Sequence, residues 1–249
     1  MVLEFQNIHV QYGKKEILHG VDLGIEKGQI TGVVGPNGCG KSTLIKTVFG
    51  IAPMTEGTIW INGKDTRGMK RREISESLGY VGQDTVSVFD FTVEEIIGMA
   101  LYNKKMKRQE AASVIRSAMK ELEITQFAGR SIQTLSGGER KMVFLARAIA
   151  QGSDTIILDE PTNHLDIRNQ LFLLNYLRKS GKTVLLVIHD LRLGAHFCDR
   201  LYLMKDGSVI CSGSAQEVLS EEHLKNVFGI SGYVEEDVVK GKDFYLQFQ

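Results

Sequence analysis

Apolar residues in this chain gather in short blocks separated by polar, turn-rich stretches. ITGVV at Ile30–Val34, TIIL at 155–158 and TVLLVI at 183–188 are apolar at consecutive positions and rich in β-branched residues, as expected of strands in a parallel sheet covered on both faces. Two of these runs end in polar residues capable of chemistry. Before the first run lies LEFQNIHVQYGKKEILHGVDLGIEKG, whose shorter alternating segments and turns at Tyr12-Gly13 and Lys27-Gly28 predict an antiparallel flap on the sheet edge. LYLMKDGSVICSG predicts a hairpin turning at Asp206-Gly207. Between residues 84 and 133 the period changes. Ala111, Val114, Ile115, Ala118 and Leu122 recur at helical spacing in a charged background, predicting a mainly helical insert. The pattern is that of an α/β fold, with no internal repeat.

Composition narrows the function classes. With 249 residues and 43% hydrophobic content, the chain can bury one large domain, or one domain with a nested subdomain. Thirty basic and thirty acidic residues cancel, so nucleic acid is not an expected partner. Cys39, Cys198 and Cys211 are too few and too scattered for a disulfide framework, and reduced thiols in a cytosol are expected. MVLEFQNIHV lacks the pattern of a secretory signal. No apolar run approaches the roughly 18 residues of a spanning helix. If the protein works at a membrane, another component spans it.

GPNGCGKST, residues 35–43, lies between an apolar strand and a helix-compatible run. Gly35, Gly40, Lys41 and Ser42 fit G-x-x-x-x-G-K-[ST], with Pro36, Asn37, Gly38, Cys39 and Thr43 completing the loop. Glycines let main-chain N–H groups curl round a β-phosphate, and the following helix turns its positive end to the anion. Lys41 would reach the β- and γ-phosphates of ATP, and Ser42 would offer its hydroxyl to Mg2+. A helix start and Lys41 both lower a thiol pKa, so Cys39 is expected to be reactive towards alkylating agents and protected by ATP. In TIILDEP, Asp159 and Glu160 close a strand, at the edge where doubly wound sheets bind ligands. Asp159 would hold Mg2+ through its water shell and Glu160 would polarise an attacking water. VLLVIHD places His189 at a third strand end, as a candidate γ-phosphate sensor. In LSGGERKMVFLARAIAQ, Ser136 and Glu139 form a capping-box pattern, so a helix begins there. Capping does not explain Gly137 and Gly138, which cost helix stability and admit a close approach.

LSGGE between GPNGCGKST and TIILDEP resembles the ABC ATPase cassette, and the likeness runs in the family's order from Tyr12 to about Gly229. The resemblance implies a P-loop NTPase (RecA-like) core with an antiparallel β subdomain and an inserted α-helical subdomain. The cassette would span 1–230, with the insert at about 84–147 and a short strand-forming appendage at 231–249. It implies that Tyr12 stacks on adenine and that Gln83 touches Mg2+ and the attacking water. Ser136, Gly137 and Gly138, followed by Glu139, would form the signature that contacts ATP on the opposite subunit. Glu160 would be the general base, the loop from Asn163 to Asp166 would cross the dimer interface, and His189 would be the switch histidine. Two cassettes, most simply a homodimer, would sandwich two ATP molecules; hydrolysis would open the sandwich and move a partner docked on the insert near Gln83.

FDFTVEEI, PTNHLDIRNQ, IHDLRLGAHFCDRLYLMKDGSV and EVLSEEHLKNVFGI resemble, in particular, the cassettes of importers for iron siderophores, haem and cobalamin. This implies an integral membrane permease as partner, a substrate-binding protein acting indirectly, and a peripheral position on the cytoplasmic face of the cell membrane. GMALYNKK departs from that branch, which usually carries Gly-Arg, an aromatic, proline and histidine after FTVEEII, near where the permease docks. Lys104, Lys105, Lys107 and Arg108 read as a solvated helix start rather than a lipid-facing patch. The alternative is a soluble single-cassette ATPase, for example in iron-sulfur cluster assembly.

Overall fold

The computed structural model describes residues 1–83, 90–237 and 241–247. The chain begins with β1 (Leu3–Tyr12), β2 (Lys15–Ile25), β3 (Ile30–Val34), α1 (Lys41–Val48), β4 (Met54–Ile61) and β5 (Lys64–Asp65). It continues through α2 (Arg71–Ser77), β6 (Leu78–Val81), α3 (Val93–Gly98), α4 (Arg108–Glu121), α5 (Gly137–Ala150) and β7 (Thr155–Asp159). Then follow α6 (Ile167–Lys179), β8 (Thr183–Val187), α7 (Leu191–Phe197), β9 (Arg200–Lys205) and β10 (Ser208–Gly213), and finally β11 (Ser231–Asp237) and β12 (Gly241–Gln247).

The consecutive apolar runs form the centre of a six-stranded sheet, ordered β10-β9-β3-β8-β7-β6. All of its pairs are parallel except the predicted β9–β10 hairpin. Successive side chains of a strand face opposite ways, which divides the core in two. Ile156, Leu158, Val184 and Leu186 pack with the helices α3 to α7 on one face. Ile157, Val33, Leu185 and Val187 pack with α1 and the amino-terminal strands on the other.

The amino-terminal flap differs from the edge position expected of it. β1, β2, β4 and β5 form a separate antiparallel sheet, ordered β2-β1-β4-β5, that lies across one face with α1. The reason is burial: Leu3, Phe5, Ile8 and Val10 of β1 are all nearly inaccessible to solvent and need an apolar surface opposite them, which an edge does not offer.

In the helical insert, α4 and α3 pack on α5, with Ala118, Met119 and Leu122 buried and Val114 and Ile115 beside them. Residues 84–89, where the insert was expected to begin, lie outside the described residues. α5 runs past the expected boundary at 147 to Ala150 and also contacts β6, so one helix serves both insert and core. The basic run marks the start of α4, with Lys107 as its N-cap. Residues 231–249 contain the antiparallel pair β11–β12.

Candidate functional site

Parallel register brings the chemistry to one edge. β3, β8, β7 and β6 are adjacent and run the same way, with Val33 opposite Val187, Asp159 opposite Val187 and Val81 opposite Leu158. The residues that follow these strands therefore emerge side by side: the loop 35–43, His189, Glu160 and Gln83.

Gly35 leaves β3 with φ 154°, and a Cβ there would lie 2.2 Å from the Met204 carbonyl oxygen of β9, so only glycine fits. Gly40, at φ 106°, opens α1. The Lys41 ammonium is inside the loop, donating to the carbonyl oxygens of Gly35 at 2.8 Å and Pro36 at 2.9 Å. The loop is further fixed by Gly207 N–H, which donates to the Cys39 carbonyl at 3.1 Å.

Cys39 corrects the expectation of a reactive thiol. It is 5% exposed, and burial pushes its pKa up against the opposing pull of Lys41. A thiol shielded and held protonated is a poor nucleophile. With iodoacetamide at neutral pH, Cys39 should stay unmodified in the folded protein without nucleotide, whereas denatured chain takes up label at all three cysteines. Peptide mass mapping checks this, and rapid labelling of native Cys39 would restore the reactive reading.

Asp159 is fully buried. Its Oδ1 accepts from the Ser42 hydroxyl at 2.9 Å, while Oδ2 is buried without a hydrogen-bond partner. Burial pushes its carboxyl up, with the Ser42 hydrogen bond and the charges of Lys46 and Lys41 opposing. An orphaned buried carboxylate oxygen beside a hydroxyl suits a hard, oxygen-seeking cation such as Mg2+.

Glu160 turns the chain with φ 50°, sparsely populated for a non-glycine residue. Its Oε2 accepts from Gln83 Nε2 at 2.9 Å and from Asn163 Nδ2 at 2.6 Å. Two amide donors thus aim the carboxylate. It faces a cavity of about 570 Å3, bounded by Asn37, Gly38, Gly40 to Thr43, Gln83, Asn163 and His189, a size suited to a small-molecule ligand.

The remaining expected residues lie apart from this cavity. Tyr12 ends β1, half-exposed and able to offer its ring face. Ser136 caps α5: its Oγ accepts from Glu139 N–H, and its own N–H donates to Glu139 Oε2 at 2.7 Å. That capping bond holds the Glu139 carboxyl below its ordinary pKa. Gly138 has Leu165 Cδ2 3.0 Å from where a Cβ would stand, so the signature start abuts the 163–166 loop. Asp166 caps α6 by accepting from Asn169 N–H at 2.8 Å.

Sequence reasoning missed Lys141. Its ammonium is buried and donates to the carbonyls of Glu160 and Asn163. The available signal was a lysine on the apolar stripe of α5, in line with Leu145 and Ala148.

A model of the ABC transporter family matches residues 18–163. The iron(3+)-hydroxamate import ATP-binding protein FhuC of Bacillus subtilis is 34% identical, over 99% of this chain and 94% of its own. The hemin import ATP-binding protein HmuV of Pseudomonas fluorescens is 35% identical, over 96% of this chain and 97% of its own. Among solved structures, dimeric MJ0796, a bacterial ABC transporter cassette, superposes with a TM-score of 0.78 and 28% identity, covering 86% of this chain and 98% of that one.

Proposed function

The chain belongs to the ABC transporter family as an ATP-binding, ATP-hydrolysing subunit that powers an importer, and we propose that the cargo is a ferric chelate, haem or cobalamin. The observation that carries the catalytic reading is the convergence of the phosphate loop, Gln83, Glu160 and His189 on one cavity. The ferric-chelate and haem readings rest on the likeness to FhuC and HmuV, and cobalamin rests on the branch resemblance of PTNHLDIRNQ and EVLSEEHLKNVFGI.

In this reading ATP enters with adenine on Tyr12 and its phosphates in the loop 35–43. Lys41 exchanges the carbonyls of Gly35 and Pro36 for β- and γ-phosphate oxygens. Ser42 and Asp159, with Gln83, would hold Mg2+, which would supply charge neutralisation at the phosphate oxygens. Glu160, oriented by Gln83 and Asn163, accepts the proton of the attacking water as its oxygen bonds to the γ-phosphorus and the ADP oxygen leaves. His189 donates a hydrogen bond to the γ-phosphate. Exposed Ser136 with Gly137 and Gly138 lies apart from the chain's own phosphate loop, so these residues serve the ATP of a second copy. Separation of ADP and phosphate opens the pair and passes motion to a permease on the cytoplasmic face of the membrane. Among the described residues, no helix is long and apolar enough to cross a membrane.

In this reading the permease docks at a second cavity of about 760 Å3 between core and insert, lined by Phe49, Tyr80, Met99, Lys104, Lys105 and Arg147 among others. The departing segment GMALYNKK forms one wall, and its own Tyr102, outside the cavity lining, is 90% exposed. Arg147 stacks 4.7 Å over the Phe144 ring and makes no ion pair among the described residues. A basic, partly apolar groove suits a short amphipathic segment with an acidic side chain.

The test combines phosphate release by purified chain with recovery of tagged chain from detergent-solubilised native membranes. A polytopic permease should co-purify. Tyr102→Ala should lower its recovery on the order of tenfold, as loss of an exposed aromatic anchor does, with phosphate release by the isolated chain unchanged. Recovery with soluble partners only would favour the soluble-ATPase reading.

A further inference from the structure

We propose that Lys141 is a positioning residue that couples the two ATP sites of the dimer, by tying the signature end of α5 to the turn that carries Glu160. The inference rests on the ATPase reading above and adds to it a role for a residue outside the family motifs considered so far.

The geometry is specific. Lys141 stands in the second turn of α5, one turn beyond Ser136, Gly137 and Gly138. Its ammonium is 3% exposed and donates to the carbonyl oxygen of Glu160 and, at 3.2 Å, to that of Asn163. These two carbonyls bracket a tight turn, which Asn163 N–H closes by donating to the same Glu160 oxygen at 3.3 Å. The Asn163 side chain then holds Glu160 Oε2. One buried cation thus braces both ends of the turn whose unusual Glu160 backbone angle aims the carboxylate.

A lysine on an apolar helix stripe requires a reason, because burying an ammonium is costly unless hydrogen bonds replace its water. Here two carbonyls do so, and both belong to the catalytic turn. The other end of the tie is the helix start, where Gly138 abuts Leu165 of the adjoining loop. In the ATP sandwich these ends work on different nucleotides: Glu160 on the ATP of its own chain, the signature on that of the partner. Displacement of the signature by one ATP therefore reaches the other site's base through Lys141 as a rigid connection.

The test is steady-state ATP hydrolysis by the purified full chain carrying Lys141→Met or Lys141→Arg. Methionine keeps the length and removes the donors; arginine keeps the charge. Lys141→Met should lose kcat by about ten- to a hundredfold, the scale of a lost charged hydrogen bond and a misaimed base, with fluorescent-ATP affinity of the monomer within about twofold of wild type. The Hill coefficient for ATP should be above one in the wild type and fall to about one in this variant. Lys141→Arg should recover most of both. Unchanged kcat and Hill coefficient in Lys141→Met, or equal loss in the arginine variant, would overturn the proposal. If Lys141→Met does not fold, Lys141→Leu, which likewise has no donor, is held to the same criteria. Absence of hydrolysis by wild-type chain would count against the ATPase reading itself, which separates the two failures.

Discussion

Glu160→Gln should lower phosphate release by about 10²–10⁴-fold, the range lost with a general base, while ATP binding should persist. The amide has the shape of the carboxylate and still offers an oxygen to Gln83 and Asn163, which donate to Oε2 in the native site. The phosphate loop is untouched. What disappears is the ability to take a proton from water. If, as proposed, the dimer opens on hydrolysis, the variant should accumulate as an ATP-bound dimer, visible as a shift to twice the mass in size-exclusion chromatography with ATP and Mg2+. Hydrolysis at the normal rate would remove Glu160 from the role of base. A chain that stays monomeric with ATP would instead count against the sandwich.

Lys41→Met has the second largest effect and acts earlier, at binding. The Lys41 ammonium is buried and has two loop carbonyls as acceptors before any nucleotide arrives. Charged hydrogen bonds of this kind are worth about 1.5–3 kcal/mol each. Removing those that the proposed reading gives to the β- and γ-phosphates should weaken ATP on the order of a hundredfold or more. AMP, which lacks both phosphates, should bind the variant and the wild type alike. A competition titration with a fluorescent ATP analogue measures both. The variant should also be less stable without nucleotide by about 1–3 kcal/mol, since the carbonyls of Gly35 and Pro36 lose their donor. ATP affinity equal to wild type would mean that main-chain N–H groups alone hold the phosphates.

The cysteine result shows why such effects need the fold. Position 39 lies just before two features that lower a thiol pKa, a helix start and its lysine, and both are visible in GPNGCGKST. The neighbours that bury it come from elsewhere. Cys39 packs with the apolar face formed by β3, α1 and the amino-terminal strands, and its carbonyl is held by Gly207 from the β9–β10 turn. Desolvation from those contacts outweighs the local charge.

By itself the sequence determined the local elements and the order of the chemistry. Consecutive apolar runs marked β3, β7 and β8 because strands buried on both faces have no polar side. Ser136 and Glu139 marked the start of α5 because capping is a contact across three residues. The phosphate loop was legible for the same reason, since its glycines and lysine lie within one short segment. Tertiary structure decided everything that depends on residues far apart in the chain. Ser42 meets Asp159 across 117 positions and Gln83 meets Glu160 across 77, because parallel register aligns the carboxyl ends of four strands. The flap became a covering layer because its apolar face required one. Lys141 found its carbonyl acceptors because the start of the helix that carries it lies against the loop after β7. Spacing and period are written in local sequence; burial and long-range hydrogen bonds exist only once distant elements have packed.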